Sequence, residues 1–219
     1  MENNIAKMID HTILKANTTD QQIRQLCSEA LEYGFASVCI NPCFVPLAAS
    51  LLRDTQVKVC TVVGFPLGSN ASETKLFEAD SAMRSGAAEL DYVLNISDVI
   101  NGRLHLVKQE MEQFVWLRIG GDSPVKIKVI LETCFLSNEQ IVQVCELAKK
   151  AGLDFVKTST GFGPASAAVE HVRLMRCTVG PDLGVKASGG IRTYEDAVAM
   201  IDAGATRIGT SAGVEIISS

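Results

Sequence analysis

Aromatic side chains, basic clusters and long apolar runs are all scarce in this sequence. Aromatic residues make up 5% of the 219 residues, and no block of Lys or Arg offsets the net charge of −5. Because nucleic-acid binding requires clustered cations that neutralise phosphates, we expect no nucleic-acid partner. No run approaches the roughly 18 apolar residues that a membrane helix needs, so we expect no membrane partner.

Signals for export and for metal binding are missing as well. The opening, MENNIAKMIDHTIL, lacks the basic start and apolar stretch of a signal peptide, which predicts a cytoplasmic protein. The seven cysteines, an odd number at irregular spacing, argue against a disulfide framework. The three histidines show no ligand-like spacing, so we expect neither a metal ion nor another cofactor.

Short β-branched runs alternate with amphipathic helical patterns along the whole sequence, and several helical patterns end at a glycine, as at Gly34, Gly152 and Gly204. The eight candidate strands are residues 8–14, 37–40, 58–64, 89–96, 125–132, 154–159, 184–188 and 207–211. This alternation predicts an α/β protein, a (β/α)8 TIM barrel that forms a single domain over residues 1–219. An open doubly wound sheet is the alternative, although no GxGxxG follows the first strand.

Alternation along the candidate strands predicts which polar side chains face the barrel interior. These are Asp10 and Thr12 on the first strand, Cys39 on the second, Asp91 on the fourth, Lys128 on the fifth and Lys186 on the seventh. Lys157 shares a face with Leu153 and Phe155, so periodicity alone leaves its direction open. Each lysine alone could extend to water, but burying several charges is costly and favours a functional pocket.

Such a pocket predicts carbonyl chemistry. A lysine near other cations in a partly dry site loses its proton more easily, and the free amine attacks a carbonyl to form an imine. The protonated imine withdraws electrons, so a neighbouring carbon–carbon bond can form or break. An inward carboxylate such as Asp91 would move the proton through water.

Glycine-rich turns follow the last three candidate strands, at residues 158–163, 188–193 and 209–213. Backbone N–H groups in such turns, and at a short helix expected near Ser211, bind phosphate, and Arg192 lies in the second turn. A single turn of this kind is more often simply a tight connection between a strand and a helix. Three in succession favour a phosphate site.

Seven motifs carry a resemblance to a known family. They are IDHTILK (9–15), VCINPCFVP (38–46), VVGFPLG (62–68), ELDYVLNI (89–96), KVILET (128–133), FVKTSTGFG (155–163) and GVKASGGIRT (184–193). With these motifs in order, the chain resembles the deoxyribose-phosphate aldolases, a family of class I aldolases, from about residue 5 to its end. The resemblance implies reversible cleavage of 2-deoxy-D-ribose 5-phosphate to acetaldehyde and D-glyceraldehyde 3-phosphate, in deoxyribonucleoside catabolism.

The resemblance also implies roles for individual residues. Lys157 would form the Schiff base, Lys186 would be the neighbouring cation that assists proton transfer, and Asp91 would be the proton relay. The resemblance further implies that Asp10 and Lys128 support this network and contact substrate hydroxyls, and that Gly161, Gly189, Gly190 and Ser211 hold the phosphate. Apart from the resemblance, Thr12, Cys39 and Arg192 are further candidates for supporting or substrate-binding residues. Alternation places Cys39 beside the predicted mouth, which makes it a candidate for inactivation by aldehyde.

Two departures from the family pattern limit the resemblance. After TSTGFG the chain continues with PASAAVEHV (164–172), where the family often has more glycine and threonine, and it ends in EIISS without a tyrosine-bearing tail. The alternatives are another Schiff-base barrel aldolase or transaldolase, and a non-catalytic sugar-phosphate-binding barrel. We expect sugar phosphates and aldehydes as ligands, and a homodimer as one form that the sequence leaves open.

Overall fold

The computed structural model describes residues 5–119 and 125–218, whose eight parallel strands close into a barrel in sequence order. The strands are β1 (Ile9–Ile13), β2 (Ser37–Ile40), β3 (Lys58–Val63), β4 (Glu89–Val93), β5 (Lys126–Ile130), β6 (Phe155–Lys157), β7 (Gly184–Ser188) and β8 (Arg207–Thr210). Every strand lies inside a run predicted from the sequence, and β1 pairs with β8 to close the ring. The predicted TIM barrel is therefore confirmed over the open sheet.

Nine α-helices surround the barrel within the described residues. They are α1 (Asp20–Tyr33), α2 (Val45–Leu51), α3 (Ser72–Arg84), α4 (Ile96–Ile100), α5 (Leu104–Ile119), α6 (Asn138–Ala151), α7 (Val169–Val179), α8 (Tyr194–Asp202) and α9 (Gly213–Ile217). Among residues 5–119 and 125–218, none of the helices combines the length and the apolar character that crossing a bilayer requires.

Helix ends follow the local sequence closely. α6 begins with a capping box in which the Ser137 hydroxyl accepts from the Gln140 N–H while the Gln140 side chain accepts from the Ser137 N–H. α1 and α6 are each capped by the glycine that follows them, Gly34 and Gly152, whose φ angles of 68° and 83° lie in the left-handed region. α8 ends at Asp202, slightly before the predicted stop at Gly204.

The main apolar core lies between the outer face of the barrel and the helices. Fully buried strand residues such as Val38, Leu90, Ile127 and Val185 belong to it. Inside the barrel, Cys39, Cys60 and Val62 form a small apolar group, with Leu14 and Phe65 packed against them. Since burial of apolar area outside the barrel drives folding, most of the barrel interior is left to polar side chains.

The structure of strand β6 shows the direction of the Lys157 side chain, which the sequence left open. Val156 is fully buried in the outer core, so its neighbours Phe155 and Lys157 face the barrel interior. A Cβ placed on Gly184 would lie 2.2 Å from the Phe155 ring, which confirms that this ring fills the interior beside β7. Lys157 therefore enters the barrel from the carboxyl end of a three-residue strand.

Candidate active site

Seven ionisable side chains contact one another inside the barrel and form what we call the interior cluster. They comprise three carboxylates and four bases, all at least nine-tenths buried: Asp10, Glu89, Asp91, Lys128, Lys157, Lys186 and Arg207. Their strands bring them together because alternate residues of neighbouring parallel strands point to the same side. The structure thus joins the predicted Asp10, Asp91, Lys128, Lys157 and Lys186 in one network.

Asp91 lies at the centre of the interior cluster. Its Oδ2 accepts from Lys157 Nζ and from Lys186 Nζ, each at 2.7 Å. Its Oδ1 accepts from Lys128 Nζ at 2.9 Å and from the Cys60 thiol at 3.1 Å. Burial by itself raises the pKa of Asp91, but the three lysines outweigh burial and hold this pKa well below its usual range. Asp91 is therefore an ionised hub that joins the two lysines predicted to be catalytic.

Lys186 bridges two carboxylates. Besides Asp91 it donates to Asp10 Oδ2, and Asp10 Oδ1 accepts from Arg207 Nη1 and from Ser37 Oγ, each at 2.6 Å. Burial by itself lowers the pKa of Lys186, but the charges of Asp10 and Asp91 raise it well above its usual range. Lys186 consequently stays protonated at neutral pH, as its predicted role as a cation beside Lys157 requires.

Two residues of the interior cluster, Glu89 and Arg207, were not predicted from the sequence. They are the first residues of β4 and β8. Glu89 Oε2 lies 2.5 Å from Lys128 Nζ and 3.0 Å from Arg207 Nη1. Both cations also lie over the Phe155 ring, at 5.9 Å and 5.3 Å from its centroid. A signal for Glu89 was present, since it lies two positions before Asp91 and thus on the same strand face.

A cavity of about 360 Å³ opens above the interior cluster, between the loops that follow β1, β6, β7 and β8. Of the interior cluster only Lys157 lines it. The other predicted residues on its wall are Thr12, Gly161, Gly189, Gly190, Arg192 and Ser211. The cavity therefore places a buried amine at its floor and three glycine-rich turns at its rim.

Glycine is required in these turns because two loops touch. Gly161, Gly189 and Gly190 have φ angles of 85°, 89° and 77°, which other residues rarely adopt. A Cβ on Gly189 would lie 3.4 Å from the Gly161 Cα, and one on Gly190 would lie 2.5 Å from Ser166 Oγ. The Ser188 hydroxyl also donates to the Ser159 carbonyl at 2.7 Å, so the turns after β6 and β7 form one surface.

Residues 4–219 match a family described as DeoC/LacD family aldolase. The chain belongs to this family. A curated relative from Thermoanaerobacter sp. (strain X514), named deoxyribose-phosphate aldolase, is 63% identical over 215 residues, which cover 98% of this chain and 96% of the relative. One of the same name from Caldanaerobacter subterraneus subsp. tengcongensis is 61% identical over 214 residues, covering 98% and 92%.

A solved structure supports the same assignment. It is described as the unique tetrameric structure of deoxyribose phosphate aldolase from Aeropyrum pernix, and it superposes with a TM-score of 0.92 at 35% identity. The superposition covers 100% of this chain and 92% of that chain. The protein is thus an aldolase, a lyase, as its sequence motifs predict.

Several of the predicted supporting residues lie beneath the cavity of this aldolase rather than on its wall. Asp10, Cys39 and Lys128 are fully buried, and none of them lines the cavity. Thr12 reaches the wall, and its hydroxyl donates to the Asp10 carbonyl at 2.8 Å. Contact of Asp10 and Lys128 with substrate hydroxyls stays a prediction, whereas their contact with Asp91 or Lys186 is direct.

The loop after β6 carries a feature that the sequence did not reveal. Phe162 lines the cavity and meets Phe65 edge to face, with ring centroids 5.3 Å apart. Glu132, held at a left-handed φ of 51°, accepts from the Thr160 backbone N–H at 3.2 Å. Phe162 therefore forms part of the cavity wall with Phe65 packed against it, and a buried carboxylate fixes the loop that carries Phe162.

Two groups of three acidic and thiol side chains lie close enough to contact one metal ion: Cys39, Cys60, Asp91 and Asp10, Cys60, Glu89. Lys128 Nζ lies 3.4 Å from the Cys60 sulfur that both groups share, and it also contacts Asp91 and Glu89. A divalent cation there would face an ammonium group at close range. The residues present suit a network of ion pairs better than a metal centre.

Proposed function

We propose that this aldolase reversibly cleaves 2-deoxy-D-ribose 5-phosphate to acetaldehyde and D-glyceraldehyde 3-phosphate through a Schiff base on Lys157. The observation that carries the proposal is the position of Lys157, at the floor of a cavity whose rim has three glycine-rich turns. An aldehyde carbon at Lys157 and a phosphate at the rim fit the two ends of one sugar phosphate. The names of the curated relatives support the same substrate.

Lys157 is the base of the interior cluster that a substrate can reach. It alone of the seven side chains lines the cavity, whereas Lys128, Lys186 and Arg207 lie beneath it among Asp10, Glu89 and Asp91. An amine in this position can attack a carbonyl carbon bound in the cavity.

In the first step the Lys157 nitrogen bonds to C1 of the open-chain sugar phosphate. The C1 oxygen takes one proton from the attacking amine and a second from an acid, and then leaves as water. Lys186 is placed to supply the second proton, since it stays protonated and shares the Asp91 oxygen with Lys157 at 2.7 Å. The product is a protonated imine.

In the second step the bond between C2 and C3 breaks and its electrons flow into the imine, which leaves an enamine on Lys157. The C3 hydroxyl loses its proton and becomes the aldehyde of glyceraldehyde 3-phosphate. Ionised Asp91, acting through a water molecule, is the proposed acceptor of this proton. Protonation of the enamine at C2 and hydrolysis of the imine then release acetaldehyde and restore the Lys157 amine.

The 5-phosphate is assigned to the rim of the cavity. Gly161, Gly189, Gly190 and Ser211 would hold it chiefly through backbone N–H groups, with Arg192 as a cation on the wall. The predicted short helix near Ser211 is α9, which begins two residues later, at Gly213. Glycines let the phosphate oxygens approach the backbone without a side chain between them.

Borohydride trapping tests the proposal directly. Incubation with acetaldehyde and borohydride, followed by peptide mapping, should give a reduced ethyl adduct on Lys157, and Lys157→Leu should abolish both adduct and cleavage. Acetaldehyde, dihydroxyacetone and pyruvate are compared as donors, because other Schiff-base aldolases use the latter two. Release of pyruvate without any activity on acetaldehyde, or full activity of Lys157→Leu, would refute the assignment.

Location and assembly complete the proposal. A phosphorylated sugar is charged and crosses membranes poorly, so a substrate of this kind supports the proposal of a cytoplasmic enzyme. We further propose a homo-oligomer, and light scattering on the purified chain distinguishes a monomer from a dimer or tetramer. Cell fractionation checks the location.

A further inference from the structure

The loop after β1 places a lysine, Lys15, on the wall of the cavity. Its backbone is fixed, because the Lys15 carbonyl accepts from the Thr18 N–H at 3.2 Å, from the Thr18 hydroxyl at 2.7 Å and from Asn41 Nδ2 at 3.3 Å. The side chain is exposed and extends from this fixed turn. A long cation on a rigid anchor can reach a ligand without reorganising the loop.

The barrel order places Lys15 beside the proposed phosphate turn. β8 pairs with β7 on one side and with β1 on the other. The loop after β8 carries Ser211, the loop after β7 carries Arg192, and the loop after β1 carries Lys15. The loops that carry these two cations therefore flank the turn at Ser211 from opposite sides, and all three residues line the same cavity.

The charges on the cavity wall have a single sign. Three bases, Lys15, Lys157 and Arg192, line the cavity, and no described carboxylate does. Within residues 5–119 and 125–218, Lys15 has no ion-pair partner, whereas Arg192 lies beside Asp196, whose carboxylate accepts from the Arg192 backbone N–H at 3.0 Å. Lys15 is thus an uncompensated cation facing a cavity that has to neutralise a phosphate dianion.

We propose that Lys15 binds the 5-phosphate and sets the preference of this enzyme for phosphorylated over unphosphorylated sugars. The inference rests on the proposed function, because it takes 2-deoxy-D-ribose 5-phosphate as the substrate. It adds a side-chain cation from β1 to a phosphate site otherwise built from the loops of β6, β7 and β8. The competing interpretation is a surface lysine that extends to water and contributes nothing to selectivity.

Comparison of two substrates tests the proposal. In Lys15→Met the ratio of kcat/KM for 2-deoxyribose 5-phosphate to kcat/KM for 2-deoxyribose should fall about ten-fold or more, as expected for loss of one charge-assisted contact. The change should lie mainly in KM for the phosphorylated sugar. Lys15→Arg should restore most of the ratio. Lys7→Met, which removes an exposed lysine before β1 at the opposite end of the barrel, is the matched control and should leave the ratio unchanged.

Titration with inorganic phosphate separates this proposal from the proposed function. Calorimetry on the wild type, Lys15→Met and Lys7→Met measures phosphate affinity without any turnover, and only Lys15→Met should bind about ten-fold more weakly. If the wild type cleaves neither sugar yet shows this pattern, the proposed function fails and the phosphate role of Lys15 stands. An unchanged substrate ratio, or an equal loss on both sugars, would overturn the role of Lys15.

Discussion

Inside the barrel every base of the interior cluster contacts a carboxylate, whereas the cavity wall above carries Lys15 and Arg192 with no acidic group beside them on the wall. The two regions lie one above the other and meet at Lys157. In the buried region, partners fixed within 3 Å decide the protonation states, and screening by salt is weak. On the exposed wall, no described carboxylate balances the positive charges of Lys15 and Arg192, so these charges are available to bind an anion from solution.

This difference separates two tasks of one site. The interior cluster sets the chemistry at Lys157 and contributes to folding, so changes there are expected in kcat and in the free energy of unfolding. The cavity wall holds the far end of the substrate, so changes there are expected in KM. Substitutions in each region test whether the effects on kcat, on KM and on stability separate in this way.

The largest effect is expected for Lys186→Leu. Loss of the cation between Asp10 and Asp91 removes the proposed proton donor beside Lys157, so kcat should fall by orders of magnitude while KM changes much less. Single-turnover cleavage and steady-state kinetics measure the two parameters. Lys75→Met is the matched control, because Lys75 is also fully buried but pairs with Glu110 at 2.8 Å outside the interior cluster. A Lys186→Leu enzyme with a kcat close to wild type would contradict the division.

The next effect is on stability and concerns Arg207→Leu. This change leaves Asp10 and Glu89 without one of their buried partners, which should lower the free energy of unfolding by about 3–5 kcal/mol. Urea denaturation provides the measurement. Arg84→Leu breaks an exposed ion pair with Asp80 and should cost at most about 1 kcal/mol. Equal losses in the two variants would show that the interior cluster contributes no special stability.

Acid should reduce the stability that these buried ion pairs give to the fold. The pKa of Asp10, which burial alone would raise, is held well below its ordinary value of 3.8 by Lys186, Arg207 and Lys128. A carboxylate with a lowered pKa stabilises the fold at pH values above 3.8, and this stability is lost as the pH falls below that value towards the folded-state pKa. The melting temperature should therefore drop steeply below about pH 4, and the slope should be shallower in Asp10→Asn. Identical slopes would contradict the assignment.

The comparison also explains what the sequence could and could not predict. Alternation over five-residue strands identified Asp10, Asp91 and Lys186 as inward, because Asp91 and Lys186 each lie between two residues of the outer core and Asp10 follows another, Ile9. β6 has only three residues, so Leu153 lies before the strand, and the apparent pattern through it was uninformative for Lys157. Lys15 follows its strand, where alternation no longer applies, and only the barrel order brings it to the cavity.

The interior residues Glu89 and Arg207 were not predicted for a different reason. Glu89 shares the strand face of Asp91, but a barrel floor is usually filled by branched apolar side chains, so nothing in one strand shows that the floor will be ionic. The pairing of Glu89 with Lys128 and Arg207 depends on strands that are far apart in sequence. Sequence patterns therefore predict the face of a residue, while its partners follow from the closed barrel.

The smallest effect is expected for Gly190→Ala on the cavity wall. At a φ of 77° an added Cβ would be strained and would lie 2.5 Å from Ser166 Oγ, so the turn should shift and KM for the phosphorylated sugar should rise several-fold. Gly34→Ala is the matched control, since Gly34 has a φ of 68° but its Cβ would meet no atom within 4 Å, and it caps α1 away from the cavity. In urea denaturation Gly34→Ala should lose about 1 kcal/mol, and Gly190→Ala should lose more because its Cβ also meets Ser166. Only Gly190→Ala should change KM, because only the wall holds the phosphate; a change in kcat instead would mean that the wall also positions the chemistry at Lys157.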